Sequence, residues 1–207
     1  MKHAKSLLTL LVLPLASYAD DFDYTFVDAG FVNTEVDVGP FNVDGDGIGI
    51  QGSFAIQDNL QIVASYTDID YDFGVDGSVL TVGLGFNTGL NDNLDFVADI
   101  SYVDAEVSSG LASADETGYE IGAGIRARTG QKVELEAGLS YIDLDSSDTV
   151  LKVGGRYYFS DAFALSAGFS DNDDGLSWTI GGVFAARYPD LTSNVNSKIW
   201  SVPSVGT

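Results

Sequence analysis

The sequence has no cysteine, only four prolines, nine basic residues and one histidine, His3. Each shortage removes a class of protein. Without cysteine there is no disulfide framework, no thiolate nucleophile and no thiolate-bound zinc, so the fold rests on packing and hydrogen bonds alone. His3 falls in a segment that reads as a removable leader, so the mature chain would carry no imidazole. Acid–base chemistry near neutrality would then need a strongly shifted carboxylate or lysine. Two of the nine bases, Lys2 and Lys5, lie in the same leader, and the other seven face 31 Asp and Glu. The formal charge of the whole chain is −22. Such a chain has no basic stripe with which to displace counterions, which excludes nucleic acid as a partner. Low hydrophobicity at this charge would signal disorder, but 45% of the residues are apolar and 12% aromatic, enough for a folded chain.

Residues 1–19, "MKHAKSLLTLLVLPLASYA", have a positive start, an apolar run from Leu7 to Ala16, and small residues at Ser17 and Ala19 before Asp20. This is the pattern of a secretory signal peptide, and the run is too short to span a bilayer as a helix. An uncleaved anchor is the alternative, and no stop-transfer pattern follows to favour it.

Helical periodicity is hard to find in the rest, and a short motif recurs instead. "GFVNTE", "SYTDID", "SYVDAE", "SYIDLD" and "GFSDND" share one frame: small residue, aromatic, any residue, Asp or Asn, any residue, Asp or Glu. The aromatics are Phe31, Tyr66, Tyr102, Tyr141 and Phe169. A structural unit therefore recurs five times. Between the copies, apolar and polar or glycine residues alternate with period two. In "VLTVGLGFN", Leu80, Val82, Leu84 and Phe86 share one face, with Thr81, Gly83, Gly85 and Asn87 on the other. Ten such strands are predicted, at about 24–32, 47–56, 60–70, 78–87, 93–104, 117–128, 132–143, 149–159, 163–170 and 176–188. Their lengths suit a tilted strand crossing a bilayer. Short connections at 57–59, 88–92, 129–131 and 160–162 alternate with mostly longer acidic ones at 33–46, 67–77, 104–116, 143–149 and 170–175.

The repeated hexamer closes each odd-numbered strand. The aromatic sits where the apolar face meets an interface, and carboxylates follow at once because the chain has entered water. Five strands out require five back. A soluble barrel of the lipocalin kind alternates as well, with its apolar face inside. That arrangement would have to pack the whole apolar set inside one barrel, with aromatics at strand ends and an outer face rich in glycine. A membrane barrel accounts for the aromatics, the short turns on one side and the longer loops on the other. A calcium-binding β-solenoid fails for want of a nine-residue repeat.

On the leader, the strand pattern and the last strand, "LSWTIGGVFAARY", the stretch 20–188 resembles the small outer-membrane β-barrels of Gram-negative bacteria, the OmpA-like, OmpX-like and opacity-protein group. The resemblance implies an all-β, transmembrane, antiparallel up-and-down barrel integral to the outer membrane, with lipopolysaccharide and the outer-membrane assembly machinery as neighbours. It also implies that Tyr188, the aromatic ending the final strand, is an assembly signal. Two features depart from the group: ten strands where eight are usual, and a tail at 189–207. Eight strands is the alternative, should the first hairpin not join the barrel. Enzymes of this architecture familiarly use a catalytic histidine, so the expectation is a non-enzyme without catalytic residues or cofactor.

By parity the inward charges are Asp95, Asp99, Glu120, Arg126, Arg128, Glu134, Glu136, Lys152, Arg156 and Arg187. A turn at 129–131 sets Arg126 opposite Glu134, and the next turn brings Arg156 near Glu136. Buried charges are tolerated only when paired. They form either a salt-bridged core that fills a narrow barrel or a charged constriction that selects ions. Inward glycines favour open space, or serve strand curvature. Around the first strand, the register anchored on Phe31 turns Asp28 inward together with Phe22, Tyr24 and Phe26, a conflict that a bulge near 26–28 would repair. The five longer loops hold 18 of the acids and no base. Within them Asp68, Asp70, Asp72, Asp171 and Asp173 faintly resemble calcium loops, with weak Ca²⁺ or Mg²⁺ bridging to lipopolysaccharide phosphates as the functional expectation and a solvated anionic rim as the plain one. The tail has Pro189 to stop the strand and reads as a flexible periplasmic end, with Ile199 and Trp200 as a docking alternative. The expectation is a non-enzymatic barrel with a largely filled lumen in a structural or surface-interaction role; the alternative is a small porin-like channel.

Overall fold

From Phe26 to Ala185 the alternation becomes strand, and no helix occurs among the described residues. The computed structural model describes residues 22–185 apart from 39, 111 and 174, which with 1–21 and 186–207 lie outside the described residues. The signal peptide, Arg187, Tyr188 and the tail are among the residues outside. Ten strands follow in chain order: β1 Phe26–Val38, β2 Phe41–Gln57, β3 Leu60–Tyr71, β4 Val75–Asn91, β5 Leu94–Ser109, β6 Ala112–Thr129, β7 Val133–Asp143, β8 Ser147–Tyr158, β9 Phe163–Asn172 and β10 Gly175–Ala185. Each pairs antiparallel with its sequence neighbours, and β1 pairs with β10, which closes the barrel and leaves no free edge. The first hairpin joins, so the barrel has ten strands and not eight.

The two faces are the reverse of a soluble barrel. Leu80, Val82, Leu84 and Phe86 point outward and are exposed, while Thr81 and Asn87 point inward and are buried. The same holds on β6, where Ile121 and Ile125 face out and Glu120 and Arg126 face in. Outward-facing apolar residues have no protein to pack against, so their solvent must be hydrocarbon.

Five of the expected connections differ in extent. The segments 33–46, 67–77 and 104–116 are mostly strand, and the acidic loops shrink to tight turns such as Asp72–Gly74 and Leu144–Ser146. The cause is a change of face chemistry without loss of pairing. On β1, outward Phe31 gives way to outward Asn33, Glu35 and Asp37, while the inward Thr34 and Val36 stay buried. Beyond the membrane the outward face meets water, which suits carboxylates, and the inward β-branched residues still pack and keep the ladder intact.

Candidate functional site

The lumen is built from every second residue of each strand, and it divides into levels. At the end of the barrel away from the repeated hexamers β5, β6, β7 and β8 supply Asp95, Arg126, Arg128, Glu134, Glu136 and Arg156. Glu134 is the hub. Its Oε2 accepts a hydrogen bond from Arg126 Nη2 at 2.7 Å and its Oε1 one from Arg128 Nη2 at 2.8 Å. The Tyr158 hydroxyl donates to Oε2 as well, at 3.1 Å. The expected register is corrected here. The turn between β6 and β7 is Gly130–Lys132, one residue later than 129–131, with Gly130 at φ 73°. Arg126 therefore stands opposite Glu136, and Arg128 opposite Glu134. The Arg126–Glu134 ion pair forms across the diagonal, because guanidinium arms are long enough to reach a neighbouring rung. Arg156 likewise stands opposite Glu134, with Gly154 opposite Glu136. Its Nη2 lies 3.3 Å from Asp28 Oδ2, on the strand that closes the barrel.

The conflict around Asp28 resolves without the bulge. The register of β1 runs unbroken from Phe26 through Asp28 on both sides. Asp28 and the aromatics before it all face inward, and the pairing is what makes this tolerable. Ser166 Oγ and Gln51 Nε2 donate to Asp28 at 3.0 and 3.2 Å. The aromatic rings lie against the arginines: Phe22 is 5.2 Å from the Arg126 guanidinium carbon and 4.8 Å from that of Arg128, Tyr24 is 5.5 Å from Arg126, and Phe26 is 4.5 Å from Arg156. A cation over an aromatic face keeps favourable electrostatics after leaving water. The Tyr24 hydroxyl donates to Asp95 Oδ2 at 2.8 Å, and burial pushes its phenol up, so it stays a donor. Parity alone had placed Phe22, Tyr24 and Phe26 inward; what it could not supply was a partner for them.

At mid-height lie Asp99, the Glu120–Lys152 ion pair and the Asp28 cluster. The carboxylate of Glu120 and the ammonium of Lys152 are in direct contact and both buried. Many residues of this level are glycine, and they do not leave the space expected of them. A Cβ on Gly122 would meet Asp99 Oδ1 at 2.4 Å, and one on Gly85 would meet Gln61 Nε2 at 2.5 Å. The longer polar side chains lie over the glycines. Two cavities of about 30 Å³ each adjoin this level, one beside Asp28, Gln51 and Ser166 and one beside Asp99, Ser140 and Lys152. Each has room for about one water.

At the hexamer end of the barrel no charge pair is seen among the described residues. Val32, Val36, Ile69, Val79, Val103, Ile142 and Val150 are buried there, as are Thr34, Thr67, Thr81 and Ser177. Ile69 and Val150 are 0% exposed, and the Ser177 hydroxyl donates to Thr34 Oγ1 at 2.7 Å. Sequence parity contained this collar too, but its members carry no charge to mark them.

On the outer surface Phe31, Tyr66, Tyr102, Tyr141 and Phe169 all face outward and are exposed. Tyr119 stands opposite Tyr102 and Trp178 opposite Phe169, which thickens the girdle. The hexamer's carboxylate has a local role: Tyr66 donates to Asp68 at 3.0 Å, Tyr102 to Asp104 at 3.3 Å and Tyr119 to Asp143 at 2.9 Å. Asp68 and Asp70 lie on the outward side of β3, Asp72 in the following turn, and Asp171 and Asp173 at the tip of the β9–β10 hairpin. Among the described residues no three His, Cys, Asp or Glu side chains gather as a metal site.

A closed antiparallel barrel with an apolar outer belt, an aromatic girdle and a polar interior is the form of a transmembrane outer-membrane barrel. No protein-family model and no curated protein matches the chain. Solved structures that resemble it are outer-membrane barrels. The KdgM porin is 10% identical with TM-score 0.44, over 78% of this chain and 99% of that one. Ail, the attachment invasion locus protein of Yersinia pestis, is 14% identical with TM-score 0.42, over 77% and 96%. The translocator domain of the autotransporter NalP from Neisseria meningitidis is 10% identical with TM-score 0.48, over 78% and 88%.

Proposed function

We propose that this chain is a non-enzymatic integral protein of the bacterial outer membrane whose lumen is closed by its own side chains, and which acts through its surfaces. The observation that carries this reading is burial at every level of the lumen. Arg126 and Glu134 near the periplasmic end, Lys152 and Gln61 further in, and Ile69 and Val150 toward the outside all lie at 4% exposure or less. A water-filled channel would leave its lining wet. The apolar collar adds a second obstacle, because an ion entering it would lose its hydration shell with no charge to replace it. A mature chain free of histidine and cysteine supports a role without catalysis. What remains for function is the belt, in contact with lipid and lipopolysaccharide, and five acidic hairpins directed outward. Assembly into the membrane is by the outer-membrane machinery, with Tyr188 as the signal.

The test is single-channel conductance of refolded 20–207 in a planar bilayer, with folding verified by a heat-dependent gel shift. Folded protein without steady conductance is the expected outcome. Reproducible conductance that changes in Glu136→Gln or Arg156→Gln would establish a pore through the lumen and overturn the closed reading.

A further inference from the structure

The segment before β1 is not strand, yet it is as buried as the barrel interior. Phe22 and Asp23 are 8% exposed and Tyr24 is 6% exposed. A segment outside the sheet at the rim of a barrel is ordinarily exposed to solvent. Here each residue is held. Phe22 and Tyr24 pack on Val97 of β5. Phe22 spans two arginines, and Tyr24 stacks on one of them while its hydroxyl bonds Asp95. The Tyr24 carbonyl accepts from Ser53 Oγ at 2.9 Å, and Thr25 Oγ1 accepts from the Ala55 amide at 3.2 Å. Contacts to β2, β5 and β6 mean that the segment reaches across the mouth and does not merely continue β1 along the wall.

We infer that residues Phe22–Thr25 are a stopper for the periplasmic mouth, and that the space they cover is a vestibule reachable only from the periplasm. The stopper and the extracellular collar close the lumen independently. The collar is a set of wall residues on seven strands and cannot leave without unfolding the barrel. The stopper leaves the wall at Phe26, and the holds described for it are packing on Val97, cation–π contacts and single hydrogen bonds, none of them part of the ten-strand ladder. Its release would expose Arg126, Arg128, Asp95 and Val97 to periplasmic water and leave the ten-strand ladder intact. The outer side of the lumen would stay shut. This inference rests on the closed-lumen reading for its outer half only.

The chain's lack of cysteine makes the test direct. Val97→Cys places one thiol beneath the stopper and Ile69→Cys places one in the collar, each in exported full-length protein reacted with a water-soluble methanethiosulfonate. With the native stopper both thiols should react slowly in the folded, heat-shiftable form. In Phe22→Ala/Tyr24→Ala, the Val97→Cys thiol should react at least about tenfold faster while the Ile69→Cys thiol stays protected. Tyr24→Phe, which loses only the hydroxyl, should give a smaller acceleration. Equal rates at Val97→Cys with and without the aromatic pair would overturn the inference. Should the double variant not fold, Tyr24→Phe decides: acceleration supports the stopper and an unchanged rate overturns it. Labelling at Val97→Cys with no conductance supports both proposals. Labelling together with conductance keeps the stopper and removes the closed collar, so the two readings fail separately.

Discussion

At the scale of single residues, the lumen is governed by how each buried charge is matched. Glu134 serves Arg126, Arg128 and the Tyr158 hydroxyl at once. Its neighbour on the same face, Glu136, has Oε2 buried with no hydrogen-bond partner among the described residues. The two glutamates are two residues apart and similarly buried, yet they should not be equivalent. Removing one partner of a buried pair leaves the other charge uncompensated, at a cost of about 3–5 kcal/mol. Neutralising a carboxylate that makes few hydrogen bonds relieves part of its own desolvation, so the net loss should stay below about 1 kcal/mol. Glu134→Gln should therefore lower the urea midpoint of the reconstituted barrel far more than Glu136→Gln. Equal losses would mean that Glu134 is no hub. The charges themselves were legible from parity in the sequence. Their partners were not, because a guanidinium reaches diagonally across rungs and a turn displaced by one residue moves every pairing.

At the scale of elements, strand identity was readable and strand ends were not. Period two predicts ten strands and their faces, with only the first hairpin left open, since alternation follows directly from the pleat. The ends differ because acidic residues read as loops in sequence, whereas outside the membrane a strand can carry carboxylates on its outward face and still pair. The β3–β4 hairpin shows the limit of that extension. Its turn holds Phe73 at φ 65°, followed by Gly74 at φ 70°, and the Phe73 ring is 90% exposed. A non-glycine residue in the left-handed region costs on the order of 1 kcal/mol or more, with no packing here to offset it. Phe73→Gly should therefore leave stability unchanged or raise it by up to about 1 kcal/mol in the same unfolding assay. A clear loss would show that the Phe73 ring has a stabilising contact in the membrane-embedded protein.

At the scale of the whole molecule, the barrel is a sheet closed on itself between two solvents, and the outward face is matched to lipid. Ile125 on β6 lies in the apolar belt and is 47% exposed. Arginine on the lipid face near the bilayer midplane costs about 2–4 kcal/mol, and near the interface little. Ile125→Arg should destabilise the protein in vesicles by roughly that amount, while Glu35→Arg, on the outward face beyond the girdle, should change stability by less than about 1 kcal/mol. Similar effects from both would mean that the belt does not face hydrocarbon.

The sequence by itself determined the all-β alternation, the lipid-facing face and the strand positions that turn charges inward, because all of these depend on local alternation and on one repeated hexamer; that the first hairpin joins, making ten strands, was decided by the fold. Only the tertiary structure decided how the interior is filled. Closure through β1 and β10 brings Asp28 to Arg156 over 128 positions of separation, and folds Phe22 and Tyr24 beneath arginines a hundred residues away. No periodicity encodes such contacts, since they arise from the curvature of the closed sheet, which makes far parts of the chain neighbours across the lumen.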